Sequence, residues 1–184
     1  VRLACTLAQD PDGYLGDLTL ARVRFELFKF NSSTPDPVVW NIPVNAAGEA
    51  LTIVDLGVDD CWTVYVKIEP TNGYWTADGT ANPVEMSTLT VALGSNDKRV
   101  TGGGWITDSQ STNGKGNFGF TVNYQKTGSP KGNALYLFRG TDGFNYKVKS
   151  NSWNGGGLWF TGTNKAYFSG KCVVQKIDRA TGAI

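Results

Sequence analysis

The first half of the chain alternates apolar and polar positions in short runs, the period of strands with one buried face. Val1, Leu3, Cys5 and Leu7 are separated by Arg2, Ala4 and Thr6. Val23, Phe25 and Leu27 repeat the pattern within residues 22–30, and Trp62, Val64, Val66 and Ile68 give it most clearly. Residues 38–44, 50–56 and 88–93 supply three further runs. Pro43 assigns the first of these to an edge or a strand end, because proline cannot donate to a ladder. Turn residues separate the runs at Asp12-Gly13, Pro35-Asp36-Pro37, Ala47-Gly48, Asn72-Gly73 and Asp78-Gly79. Short strands at this spacing predict an antiparallel β-sandwich.

The second half reads as strands at residues 105–106, 118–124, 134–137, 146–149, 158–162 and 167–177. Phe118, Phe120 and Val122 alternate there with Gly119, Thr121 and Asn123. Glycine-rich stretches at 102–104, 113–116 and 154–157 intervene, where glycine supplies positive φ or lets backbones approach. No window carries a helical period with a cap at each end. The expected class is all-β, with two tandem β-sandwich-like modules.

Charge sets the boundary between them. Residues 1–98 hold 6 Lys/Arg and 13 Asp/Glu, a net of −7, whereas residues 99–184 hold 11 and 3, a net of +8. Glycine rises from 7 to 16 across the same point. Two domains follow, an acidic 1–98 and a basic, Gly/aromatic-rich 99–184, each of a size able to bury a small core. No run of about 20 apolar residues is present to span a membrane as a helix.

Two resemblances extend this reading. Residues 1–7, 18–27, 43–50 and 62–68 resemble the bacterial Ig-like modules of large surface proteins, with Trp62 where those modules carry Tyr. The heptad Val100-Thr101-Gly102-Gly103-Gly104-Trp105-Ile106 is followed by Gly119-Phe120-Thr121-Val122, Lys147-Val148-Lys149-Ser150 and Phe168-Ser169-Gly170-Lys171. That series resembles the domain opening Val-Thr-Gly-Gly-Gly-Trp-Ile in large secreted bacterial proteins. The resemblances imply an Ig-like first module and an extracellular, cell-surface location, with a modular structural role in adhesion or filament assembly. In the second family more strands follow the Phe-x-Gly strand, so the basic domain is expected to be incomplete at Ile184.

The Ig-like resemblance also suggests a Cys5–Cys61 disulfide, leaving Cys172 unpaired or intermolecular. Phase opposes it: if Trp62, Val64 and Val66 face inward, Cys61 faces outward unless it precedes the strand or sits in a bulge. The sequon-type Asn31-Ser32-Ser33 agrees with secretion but is short.

Little favours catalysis, and the chain is read as a non-enzyme. There is no histidine, so the usual Ser/His/Asp and Cys/His nucleophile arrangements are missing. Asp59 and Asp60 are neighbours on opposite strand faces, unlike a glycosidase pair. Gly102–Gly104 lacks the Lys-Ser/Thr of a phosphate loop. No cofactor is expected; Asp10, Asp12 and Asp17 form a candidate calcium loop that lacks a far-end Glu.

Partners are expected to be other copies of the chain or neighbouring modules, with polysaccharide as the alternative. Trp153, Trp159 and Tyr146 are the candidate sugar-stacking rings, set against a reading as aromatic core. Lys147, Lys149, Lys165 and Lys171 accompany no nucleic-acid motif, so none is expected to bind. If the second sheet is incomplete, the strand carrying Tyr167, Ser169, Lys171, Val173, Gln175 and Ile177 is an open edge for strand addition, with residues 1–7 a candidate donor.

Overall fold

The computed structural model describes residues 1–8, 16–57, 60–69, 85–91, 99–125, 127, 129–161 and 165–184. The chain is all-β. Its strands are β1 (Arg2–Thr6), β2 (Arg22–Lys29), β3 (Val38–Pro43), β4 (Glu49–Ile53), β5 (Asp60–Glu69) and β6 (Glu85–Val91), followed by β7 (Arg99–Thr107), β8 (Ser111–Tyr124), β9 (Pro130–Gly140), β10 (Phe144–Thr161) and β11 (Lys165–Asp178). They form three antiparallel sheets: β1-β4, β3-β2-β5-β6 and β11-β10-β9-β8-β7. Pro43 ends β3, an edge strand.

Strand parity explains the layering. Val23, Phe25 and Leu27 of β2 lie on one face with Trp62, Val64 and Val66 of β5, paired Phe25↔Val66 and Leu27↔Val64. The β1-β4 pair covers this face with Leu3, Cys5 and Ala50, closing the principal core. The other parity of β5 and β6 carries Cys61, Thr63, Thr88 and Thr90. That face meets the third sheet, where Cys61 packs with Leu135 and Phe30. The four-stranded sheet is therefore the middle layer, and the acidic and basic halves share a buried face across it.

Glycine makes this contact close. A Cβ on Gly119 of β8 would stand 2.6 Å from the Thr90 hydroxyl and 3.3 Å from Thr88 Cβ. Residues 102–104 are not a turn but the middle of β7. Gly102 lies opposite Phe120, and Gly104 opposite Phe118. A Cβ on Gly102 would fall 2.8 Å from the Phe120 ring, which lies over the bare backbone. The glycines of the opening heptad thus seat flat aromatic rings on one face of the sheet. The stretches 113–116 and 154–157 likewise lie inside β8 and β10, the latter crossed by register breaks.

Candidate functional site: the outer face and open edge of the five-stranded sheet

The inner face of the third sheet, with Asn133, Leu135, Leu137, Asn145 and Lys147, turns toward the middle layer. Its outer face presents Phe118 and Phe120 from β8, Tyr136 and Phe138 from β9, and Tyr146 and Val148 from β10, all half-buried. Cross-strand pairing aligns them: Phe118↔Tyr136, Tyr146↔Phe138 and Val148↔Tyr136. Phe138 and Tyr146 stack with centroids 4.7 Å apart, and Phe118 lies 6.1 Å from Phe120 with its ring nearly parallel. Phe168 of β11 reaches Phe120 at 4.9 Å and meets Trp153 edge-on at 5.6 Å. Phe118, Phe120, Tyr136, Trp153 and Phe168 bound an open, mainly apolar groove of about 620 Å³, with Ile106 at one side and Lys171 and Cys172 at the other.

Polar groups sit beside the rings. The Tyr136 hydroxyl donates to Asp108 Oδ2. Burial, with the carboxylate beside it, pushes the Tyr136 phenol up to about 12. Tyr146 donates to Asp142 Oδ2 at 2.6 Å, and Lys176 pairs with that same oxygen at 2.9 Å. The Tyr146 and Lys176 hydrogen bonds hold the Asp142 carboxyl down at about 2.

The candidate stacking rings occupy different settings. Trp153 lies in β10, half-buried, its indole N–H donating to Gly132 O at 2.9 Å. Tyr146 is stacked and bonded within the outer face. Trp159 is open, 48% exposed, and stacks on Tyr167 at 5.4 Å and 14°. The charge pattern gives no sign of Phe118, Phe120 and Tyr136 as a surface; the alternation of Phe118 and Phe120 with Gly119 is the available signal.

β11 is an edge strand of 14 residues, paired only with β10 among the described residues. Tyr167, Ser169, Lys171, Val173, Gln175 and Ile177 lie on this edge strand. Val173 and Val174 are exposed on it. The candidate donor, residues 1–7, pairs instead with β4, from Arg2↔Ile53 to Thr6↔Glu49.

The Cys5–Cys61 bond is not made: all three cysteines are free thiols. The cause is the parity of β5. Cys5 packs on the principal core, while Cys61 projects from the opposite face of the middle sheet toward Asn133 O at 3.3 Å. Burial pushes the Cys61 thiol up to about 11. Cys172 is exposed.

For calcium, Asp10 and Asp12 lie outside the described residues. Asp17 caps the short 3-10 turn Leu18–Leu20, accepting from the Thr19 N–H at 2.9 Å. Among the described residues no group of three or more His, Cys, Asp or Glu side chains is placed to hold a metal. No helix of the described residues is long and apolar enough to cross a membrane.

The sequence matches no protein-family model, and neither a curated protein nor a solved structure matches it.

Proposed function

We propose that the chain is a non-enzymatic structural module of an extracellular bacterial surface or filament-forming protein, and that it works by assembling with other copies or neighbouring modules. One observation carries this reading. Among the described residues the five-stranded sheet packs on the middle layer by its inner face, and β11 leaves a long edge unpaired beside an apolar outer face. Long exposed edges recruit strands, and natural proteins usually shorten, cover or charge them. Here Lys165 and Lys171 disfavour a basic strand and favour an acidic or neutral one, Lys176 being paired with Asp142. The charge division of the chain, −7 against +8, supplies such a partner in another copy.

The extracellular setting draws on the Thr/Asn/Gly-rich strands and on the family resemblances of the two halves. The three free thiols lend that setting no support, since an oxidising compartment favours disulfides. Sedimentation velocity tests the assembly role. Association is expected to grow with protein concentration and weaken as salt screens the charges. A monomer at every concentration and ionic strength contradicts it.

A second reading, carbohydrate binding, is favoured by the exposed Trp159–Tyr167 stack. Paired flat rings suit the apolar face of a sugar. Retention in gels containing cellulose or chitin derivatives, lost in Trp159→Ala, would support it.

A further inference from the structure

The three-layer stack leaves apolar surfaces at its two opposite ends. One is the groove described above. The other is the outer side of β4. Side chains alternate along a strand, so Ala50 enters the principal core while Leu51 and Ile53 point away from it. Leu51 is 50% exposed and Ile53 80% exposed. Glu49 and Asp55 share their parity and are also exposed. The result is a short apolar ridge with a carboxylate at each end, on the acidic half of the chain. Arg2 stands opposite Ile53 on β1.

The groove is its counterpart in shape and charge. It is concave where the ridge is convex, it is lined by Ile106, Phe118, Phe120 and Val148, and Lys171 stands on its rim. It belongs to the half with a net charge of +8, and the ridge to the half with −7.

We propose that a second copy of this chain seats its Leu51–Ile53 ridge in this groove, so that copies stack head to tail. The proposal rests on the assembly reading above and names the partner and the two surfaces. Each copy has one ridge and one groove at opposite ends. The contact is heterologous and extends into an open filament unless its rotation closes a ring. The groove lining includes Phe168–Cys172 of β11, so a seated ridge also lies on that strand.

The test uses two variants of the whole chain under reducing conditions, which keep Cys172 from cross-linking copies. The ridge variant is Leu51→Ser with Ile53→Asp. The groove variant is Ile106→Asp with Lys171→Glu. Its apolar target, Ile106, is 50% exposed, so the fold tolerates the change. Circular dichroism confirms that each variant is folded before sedimentation. The expected result has three parts. The wild type forms species that grow with concentration. Each variant alone associates at least about tenfold more weakly, the loss that burying one such side chain implies. A mixture of equal parts forms a species of two chains and nothing larger, since only one intact ridge and one intact groove remain to meet.

Wild-type-like assembly of either variant overturns the proposal and leaves the assembly reading standing, as does a mixture in which both variants stay monomeric. A wild type that is monomeric at every concentration overturns both, and leaves the groove to a glycan or an unrelated protein.

Discussion

Asn133 of β9 donates its side-chain N–H to Asp60 Oδ1 of β5 at 2.7 Å, joining residues 73 positions apart across the two halves. The same oxygen accepts the Cys61 N–H at 2.7 Å. The bond is partly buried, so removing the donor leaves a carboxylate short of a partner in a place water reaches poorly. Asn133→Ala should lower stability by about 1–3 kcal/mol in urea denaturation. Wild type should unfold in one transition, since the halves share a buried face. Two separated transitions in the wild type would contradict that.

Two glycines predict opposite responses to the same change. Gly119→Ala drives a methyl into Thr90 and Thr88 and should cost about 1–3 kcal/mol, the penalty of overpacking. Gly104→Ala meets only the Phe118 ring at 3.6 Å, an ordinary contact. It should be neutral or stabilising by up to about 1 kcal/mol, because alanine loses less chain entropy. Thermal melts of both variants check the contrast. Equal losses would contradict the account of β6 lying on bare backbone.

Thiol chemistry tests the cysteine arrangement. Unfolded, unreduced chain should titrate three thiols. In the folded protein an aromatic disulfide reagent should react quickly with exposed Cys172, slowly with half-buried Cys5 and least with Cys61. A single titratable thiol after unfolding would restore the Cys5–Cys61 bond.

Lys147 supplies a pH dependence. It is buried at the inner face, and burial, with Lys149 beside it, pulls its amine down from 10.5 to about 8. Between those values the unfolded chain holds the proton and the folded chain does not, so this group makes stability rise as pH increases from about 8 to 10.5. Lys147→Met should therefore stabilise the protein by roughly 1–3 kcal/mol near pH 7. That advantage should shrink toward pH 10. Comparing the two proteins at each pH removes the opposing effect of Cys61, whose raised thiol costs stability from 9.0 upward. A constant difference across the range would contradict the assignment.

Strand identity was legible wherever a face is buried against a regular core. Val23, Phe25, Leu27, Trp62, Val64 and Val66 announced both the strands and their inward side. The same phase argument turns Cys61 away from the principal core, and the structure puts it on that opposite face, where the third sheet buries it. Glycine hid the rest: Gly102–Gly104 read as an interruption because isolated strands disfavour glycine. In the sheet those residues are strand interior, made tolerable by the rings of Phe118 and Phe120 lying across them. The shared face between the halves was illegible for a related reason. Small residues such as Thr88, Thr90 and Gly119 form it, and they carry little hydrophobic signal.

Hydrogen exchange at β11 tests the central claim most directly. In an unpaired edge strand, alternate backbone N–H groups face solvent and exchange quickly. Peptides covering Lys165–Asp178 should exchange fast in dilute monomer and slow markedly in the associated protein or when a donor segment binds. If those peptides exchange identically in monomer and assembly, or are already protected in the monomer, β11 is not the open edge through which this module assembles.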